Sequence, residues 1–336
     1  GGEFTRPLFF SLLYTIIKKN MMTPRDLKNF IIDLYNLGER QFEKERMAKE
    51  MIEERLKSFR IPYTLEKFTT SIPLIEKAIL KLDGRPVPCV ATSMVSGNIN
   101  NPNHLISSLT SSQNFLFVEN INFNPLCPKI SRSNHYFAPA IAVPRYVVPK
   151  IFRAKKIIGK VRVKKTNHLS ANILVGNWIN PRYLIFSHYD SIYGGAVDNA
   201  SGTALSLFLA VNNSNLLKQT LFVFSGNEEL SYDKPIYWGH GYRVFEERHK
   251  HLLEKAKKIL ILDCLGFSKT FFINKEEIVR LGFPVNCLQK IISKTWIVAG
   301  DIQKLMRFYH SELDKPSLIS EKELVKAAAE IISKLR

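Results

Sequence analysis

The stretch that decides the fold runs from Tyr183 to Asp190 and reads YLIFSHYD. Its apolar start shows no alternation with polar residues, which is typical of a strand buried on both faces of a sheet. Two further apolar runs of this kind follow, at 221–224 and 259–262. Each is preceded by a segment with helical patterning, at 204–211 and 246–257 respectively. Buried strands that alternate with helices predict a largely parallel sheet covered by helices on both faces.

Polar residues follow each of these strands. His188 lies near the end of the first stretch, Glu228 and Glu229 come shortly after the second strand, and Asp263 comes directly after the third. In sheets of this kind, ligands bind at the carboxyl ends of the strands. The four side chains are therefore expected to meet at one edge of the sheet.

These residues, with two more, can hold a pair of zinc ions. Zinc accepts imidazole nitrogen and carboxylate oxygen at about 2.0–2.2 Å, and two ions about 3.5–4 Å apart need a bridging carboxylate. Asp198 can serve as the bridge. His188 and Asp263 can complete one ion, and Glu229 and His310 can complete the other.

Two further carboxylates suit supporting roles. Glu228 is next to a candidate ligand, so it lies near any activated water and is the natural general base. Asp190 can accept a hydrogen bond from the far imidazole nitrogen of His188, or from a neighbouring group. The alternative is that Asp198 merely caps the helix that follows it and that Glu228 is a solvated carboxylate. The shared position at strand ends favours the catalytic interpretation.

The chain resembles metallopeptidase family 28, the co-catalytic dizinc aminopeptidases, which also contains carboxypeptidase and glutaminyl cyclase branches. The resemblance covers about residues 23–68 and 160–334. Five motifs carry it: His188–Ser191, Gly195–Gly202, Ser225–Glu229, Asp263–Gly266 and Tyr309-His310.

The resemblance implies a three-layer α/β/α sandwich on a mixed, largely parallel central sheet. Residues 21–71 and 158–336 would form the zinc peptidase domain, and the Ser-, Asn- and Pro-rich segment 72–157 would form a β-rich insert of the protease-associated kind. In such relatives the peptide bond after the bridging aspartate is cis, so the Asp198–Asn199 bond is expected to be cis.

The expected function is that of a zinc-dependent exopeptidase, above all an aminopeptidase acting on peptides, with Co²⁺ or Mn²⁺ as substitute metals. A carboxypeptidase or a glutaminyl cyclase on the same fold stays an alternative, and a non-catalytic binding module is a third. The loop 230–241 departs from the family pattern and is expected to shape the substrate pocket. In it, Tyr232 and Tyr237 could line the pocket, and His240 could stabilise an oxyanion or have no catalytic duty.

Local signals place the remaining elements. Thr23-Pro24 predicts a helix start, a second amphipathic helix is expected over 42–59, and strands are expected at 63–68 and from Lys160. The apolar face of the second helix would carry Met47, Met51, Ile52 and Leu56.

The overall charge is strongly basic, at +18 with a pI near 9.7. Nucleic acid or an anionic membrane could attract such a surface. No Arg/Gly tract, zinc finger or basic zipper accompanies the charge, so a Lys-rich surface that serves solubility is favoured, with neither partner expected. Homo-oligomer formation is left open.

The cysteines and the N-terminal residues indicate the cellular compartment in which the protein is expected. Four cysteines without Cys-x-x-Cys spacing fit a reducing cytoplasm, with secretion as the alternative. The apolar run Leu8–Ile17 is shorter than the roughly 20 residues that span a bilayer. Gly1–Phe4 resembles a cloning scar, and Met21 or Met22 could be a start. Residues 1–20 are therefore expected to be a tag or non-native leader.

Overall fold

The computed structural model describes residues 21–100, 104–109, 116–234 and 236–335. The expected leader 1–20 lies outside these residues. The strands are β1 (Tyr63–Leu82), β2 (Arg85–Pro86), β3 (Val90–Ala91), β4 (Gly97–Ile99), β5 (Leu105–Ser107), β6 (Asn120–Phe123), β7 (Ala140–Ala142), β8 (Ile157–Gly176), β9 (Tyr183–His188), β10 (Thr220–Ser225), β11 (Lys258–Leu262), β12 (Phe271–Ile273) and β13 (Thr295–Ala299). The helices are α1 (Pro24–Asn36), α2 (Glu43–Ser58), α3 (Val148–Arg153), α4 (Gly202–Asn212), α5 (Ser214–Leu217), α6 (His240–Lys255), α7 (Glu276–Gly282), α8 (Leu288–Ile291), α9 (Ile302–Leu305) and α10 (Glu321–Leu335).

The central sheet is mixed, with its parallel strands in the middle. Its strand order is β12-β13-β11-β9-β10-β8-β1-β2, and β4 also pairs with β8. Strands β13, β11, β9 and β10 run parallel to one another. Strand β12 pairs antiparallel with β13, β8 pairs antiparallel with β10, and β1 pairs antiparallel with β8. The three predicted apolar runs are β9, β10 and β11, so the fold class expected from them is confirmed.

Helices cover both faces of this sheet. On one face, α1, α2, α4 and α10 pack on inward side chains such as Ile185, Phe222 and Leu260. On the other face, α6, α7 and α8 pack on the alternate residues, among them Phe186 and Ile261. Because successive strand residues point to opposite faces, each parallel strand is apolar throughout.

The first helix begins where its capping signal predicts. The backbone N–H of Asp26 donates to Thr23 Oγ1 at 3.1 Å, and the backbone N–H of Thr23 donates to Asp26 Oδ2 at 2.9 Å. Pro24 occupies the first turn, where no intrahelical donor is lost. This reciprocal capping box satisfies two backbone donors that the helix itself cannot pair.

The second helix matches its predicted range but not its entire predicted face. Ile52 and Leu56 are buried, whereas Met47 is 40% exposed. Glu45 is buried instead, and its carboxylate contacts His168 Nε2 at 2.6 Å. The buried face of the helix therefore includes a carboxylate that pairs with His168 on β8, which the apolar pattern did not predict.

Strands β1 and β8 form a long two-stranded ribbon that leaves the central sheet. They pair antiparallel from Tyr63↔Val175 to Leu82↔Ile157, so β1 continues well beyond the predicted Phe68. Near the far end lies a second sheet of order β3-β7-β6-β5, with its own apolar core around Ile99, Ile121 and Ile141. The predicted division of the chain at 71/72 falls within β1 and stays a prediction.

All four cysteines are free thiols, and Cys127, Cys264 and Cys287 are buried. Among the described helices, none combines the length and the apolar character needed to cross a membrane.

Candidate metal centre

The residues predicted to bind metal meet at the carboxyl edge of the parallel strands. His188 is the last residue of β9, Glu229 follows β10 closely, and Asp263 comes directly after β11. Asp198 and His310 reach the same place from loops. Except for Asp263, which is partly exposed, these ligand candidates are buried, with at most 6% of the residue accessible.

Asp198 lies between two pairs of side chains. Its Oδ1 is 3.4 Å from His188 Nε2, and its Oδ2 is 3.0 Å from His310 Nε2. His188 Nε2 is also 3.7 Å from Asp263 Oδ1, and His310 Nε2 is 3.1 Å from Glu229 Oε2. Each side of Asp198 thus presents one imidazole and one further carboxylate.

The donor atoms fit zinc. Ligand atoms of His188, Asp198 and Glu229 all lie within 4.8 Å of one another. Among the described residues, neither His310 Nε2 nor Glu229 Oε1 has a hydrogen-bond partner, although both atoms are buried and an unpaired buried polar atom costs free energy. A mixed nitrogen and oxygen set is what zinc binds in hydrolytic sites.

The local electrostatics favour a positive charge among these side chains. Burial raises the pKa of Glu228 well above its usual range, and repulsion from Glu229 and Asp190 adds to this. Burial would lower the pKa of His310, but Glu229 and Asp198 outweigh it and raise that pKa well above the usual value. Acidic groups packed this closely favour protons or metal ions in their midst.

Asp198 is presented by a tight turn. Gly195 has a φ of +52°, and a Cβ there would lie 2.1 Å from the carbonyl oxygen of Asp198, so only glycine fits. The Asp198–Asn199 peptide bond is cis, as expected. Asn199 Nδ2 donates to the carbonyl oxygen of Leu262 at 2.8 Å, which ties the turn to the end of β11.

Asp190 holds the backbone of two candidate site residues. Its carboxylate accepts the backbone N–H of Glu228 at 3.0 Å and that of Glu229 at 2.9 Å. Its Oδ1 also lies 3.4 Å from His188 Nδ1. The supporting role expected for Asp190 thus falls mainly on the turn that carries Glu228 and Glu229.

Asp314 supports Asp198 in the same way, and sequence reasoning missed it. Its two carboxylate oxygens accept the backbone N–H groups of Val197 at 2.7 Å and Asp198 at 3.0 Å. Burial raises the pKa of Asp314 to about 7. Its position four residues after His310 is the only trace in the sequence, and that spacing alone does not indicate a role.

Arg40 is a second supporting residue that the sequence did not reveal. It is fully buried, and burial lowers its pKa to about 10. Its guanidinium donates to the carbonyl oxygens of Tyr189 at 2.6 Å, Gly194 at 2.5 Å and Gly195 at 3.2 Å. Arg40 therefore fixes the loop that runs from His188 towards Asp198.

Cys264 lies beside the candidate ligands as a neutral thiol. Its Sγ–H donates to Asp263 Oδ1 at 3.2 Å. Burial raises its pKa well above the usual range, with Asp198 and Asp263 adding to the shift. A thiolate nucleophile at this position is therefore disfavoured.

A cavity of about 400 Å³ opens onto the candidate ligands and Glu228. Much of its lining is apolar and includes Ile278, Leu281, Ile297, Ala299, Ile302, Leu305 and Met306. Tyr237 and Trp238 from the loop 230–241 line it as well. The insert adds a further side with Ser108, Leu109, Leu116, Ser133, Asn134, His135 and Tyr136.

Two residues expected at the pocket take other positions among the described residues. Tyr232 is not part of the cavity lining; its hydroxyl donates to the carbonyl oxygen of Met94 at 2.6 Å. His240 is also outside the lining, where its Nε2 is 3.5 Å from Asp233 and its ring packs on Phe68. The loop thus binds the insert with Tyr232 and faces the cavity with Tyr237.

Known proteins share both sequence and fold with this chain. Residues 173–276 match the sequence profile of Peptidase family M28, a segment that includes His188, Asp198, Glu229 and Asp263. No curated protein sequence matches the chain. The fold is similar to that of BSAP, a zinc aminopeptidase from Bacillus subtilis, at a TM-score of 0.64 and 15% identity over 93% of this chain and 94% of that one.

Two further solved structures share the fold. An aminopeptidase from Aneurinibacillus sp. strain AM-1 gives a TM-score of 0.60 at 16% identity, over 93% of this chain and 92% of that one. Glutaminyl cyclase from Porphyromonas gingivalis gives 0.50 at 13% identity, over 94% and 98%.

The profile match over residues 173–276, together with the shared fold, supports a metallopeptidase similar to those of family M28, a hydrolase that acts on peptide bonds. The resemblance found in the sequence motifs is thereby confirmed, and zinc is the metal that the family and the fold support. The protease-associated character of the insert stays a prediction.

Proposed function

We propose that the protein is an aminopeptidase that removes N-terminal residues from peptides with two zinc ions and Glu228 as general base. The observation that carries this proposal is the position of Asp198 between two pairs of imidazole and carboxylate. A carboxylate placed in this way can bind one ion with each oxygen.

The ligands divide between the two ions as follows. His188 and Asp263 would bind one ion, Glu229 and His310 would bind the other, and Asp198 would bind both. When bound, the ions supply Lewis acidity, which makes a water more acidic and polarises the scissile carbonyl.

Glu228 has both the position and the pKa that suit a general base. It lines the cavity, yet only 8% of its surface is accessible. Burial raises the pKa of Glu228 well above its usual range, so this carboxylate takes up a proton more readily than an exposed one. Glu228 accepts the proton of the attacking water and then delivers it to the leaving amine.

The cavity supports a preference for an apolar side chain. Its volume of about 400 Å³ suits a small ligand, and apart from the candidate metal ligands and Glu228 its described lining carries no acidic or basic residue other than His135. A substrate whose N-terminal side chain is leucine, methionine or phenylalanine would bury that side chain against Leu305 and Met306. An acidic side chain would be desolvated there without a partner.

The test is hydrolysis of leucyl dipeptides with free, N-blocked and C-blocked ends, by the wild type and by Glu228→Gln. We expect hydrolysis only with a free N-terminus, and a loss of about 100-fold or more in the variant with zinc still bound. Unchanged turnover in Glu228→Gln would exclude the proposed base. Hydrolysis of N-blocked substrates alone would indicate a carboxypeptidase.

The glutaminyl cyclase alternative has one supporting observation, the shared fold of the Porphyromonas gingivalis enzyme. Cyclisation of an N-terminal glutamine, without hydrolysis of any dipeptide, would replace the aminopeptidase proposal with this one.

A further inference from the structure

His310 is oriented by a backbone carbonyl on the side away from the other ligands. Its Nδ1 is 3.1 Å from the carbonyl oxygen of Arg132. A carbonyl only accepts hydrogen bonds, so Nδ1 must carry the proton. In the neutral imidazole, which is the form that binds a metal, the lone pair is then on Nε2, and this atom lies 3.0 Å from Asp198 Oδ2 and 3.1 Å from Glu229 Oε2.

That carbonyl belongs to the insert, in the connection between β6 and β7. The two residues exchange hydrogen bonds, because the backbone N–H of Arg132 donates to the carbonyl oxygen of His310 at 2.8 Å. The hydroxyl of Ser131 donates to the carbonyl oxygen of Tyr309 at 2.7 Å. Asn124 Nδ2 donates to the carbonyl oxygen of Met306 at 2.8 Å. The insert thus holds the whole loop that ends in His310.

The side chain of Arg132 fixes this contact to the peptidase domain. Its Nη1 lies 2.8 Å from Glu39 Oε1 and 2.7 Å from Glu39 Oε2, and the Arg132 side chain is only 7% exposed. The Glu39 side chain is 35% exposed, but the Arg132 guanidinium is buried, so breaking the pair would leave that buried charge without its carboxylate partner. Glu39 directly precedes Arg40, which holds the loop after His188.

The same segment of the insert also reaches the cavity. Ser133, Asn134, His135 and Tyr136 line it. The backbone N–H of His135 donates to the hydroxyl of Tyr237 at 3.0 Å, which joins the insert to the loop 230–241. The insert therefore contacts both the His310 side of the centre and the substrate space.

We propose that Arg132 is a positioning residue for His310, so that the insert is a working part of the metal centre. Through its carbonyl, Arg132 selects the imidazole tautomer and the ring direction, while the ion pair with Glu39 fixes that carbonyl. The inference rests on the proposed function, because it requires His310 to bind zinc. Groups that orient a metal-binding histidine from behind typically change metal affinity by about 10–100-fold.

The experiment compares zinc affinities, measured by competition with a chromophoric chelator on the full chain. Arg132→Ala removes the ion pair, and Glu39→Gln weakens it from the other partner, which lies outside the insert. We expect Arg132→Ala to weaken one of the two zinc sites by about 10-fold or more while the other is unchanged. Glu39→Gln should weaken the same site by a smaller factor.

Lys129→Ala is the matched control. Lys129 Nζ is 2.8 Å from Glu312 Oε1, so this ion pair also joins the insert to the loop after His310, but both side chains are exposed. We expect no change in zinc affinity. Far-UV circular dichroism of each variant checks that the chain is folded, and Glu39→Gln keeps the test decisive if Arg132→Ala does not fold.

The outcomes separate this inference from the proposed function. A wild type that binds two zinc ions, with Arg132→Ala and Glu39→Gln binding both as tightly, overturns the inference alone. Equal weakening of both zinc sites, or the same loss in Lys129→Ala, also overturns it. A wild type that binds no zinc overturns the proposed function instead.

Discussion

The two sides of the metal centre are built in different ways. His188 and Asp263 stand at the ends of adjacent parallel strands, so the sheet itself sets their separation. His310 lies in a loop, and its direction depends on the insert. The sheet therefore fixes the positions of His188 and Asp263, whereas the position of His310 depends on residues that are distant in the sequence.

Replacement of the residue between the two sides should have the largest effect. Asp198→Ala removes the shared ligand, so we expect both zinc ions to bind weakly. Hydrolysis should fall by about 1,000-fold or more, because roughly 1.4 kcal/mol of lost transition-state stabilisation costs a factor of ten. Initial rates at saturating zinc measure this. A rate close to that of the wild type would show that Asp198 is not a bridge.

Removal of the imidazole from either side tests whether the two zinc ions bind independently. His188→Ala and His310→Ala should each retain about one zinc ion per chain after dialysis, because each leaves the opposite ligand set intact. Elemental analysis counts the remaining zinc. If both variants lost both ions, the two sides would be one cooperative unit and the distinction would fail.

A smaller effect is expected where Asp190 holds the turn with Glu228 and Glu229. Asp190→Asn keeps the shape but places an amide donor against one of two backbone N–H groups. We expect kcat to fall by about 10–100-fold, with the zinc content and KM little changed. The kinetic constants with a leucyl dipeptide check this. A change in KM alone would place Asp190 in substrate binding.

The smallest effect concerns the pH dependence of stability that Asp314, the support of Asp198, contributes. The pKa of Asp314 is raised to about 7 in the folded chain, so the folded state binds its proton more tightly than the unfolded state does. The free energy of unfolding of the metal-free protein should therefore fall as the pH rises from about 4 to about 7. Asp314→Asn should make this fall less steep.

Urea unfolding at several pH values, with zinc removed, measures this dependence. Parallel curves for the wild type and Asp314→Asn would show that Asp314 titrates normally. Zinc should also reduce the slope in the wild type, because Asp198 contributes to the raised pKa of Asp314 and a bound cation offsets its charge.

The sequence predicted the positions of His188 and Asp263, at the ends of strands, better than the surroundings of His310, which lies in a loop. An apolar run predicts a buried strand, and the strand end predicts where His188 and Asp263 lie. Arg40 donates to backbone carbonyl oxygens, and Arg132 offers its own backbone carbonyl oxygen to His310. Every residue has such a carbonyl group. Their partners therefore leave no pattern in the sequence, and only the folded chain shows them.

The insert also contains features that the sequence pattern did not predict. Alternation indicated that β8 begins near Lys160, but β1 was expected to end at Phe68 and continues to Leu82. A two-stranded ribbon is half exposed, so its apolar signal is weaker than that of the central strands. The contact between this insert and His310 spans 178 residues of sequence, a separation that no local pattern can bridge.

The zinc content of the wild-type chain tests the central claim most directly. The protein is saturated with zinc, freed of loosely bound ions by gel filtration, and measured by elemental analysis against the protein concentration. The arrangement of His188 and His310 around Asp198 predicts two zinc ions per chain. One ion or none would contradict the dinuclear site.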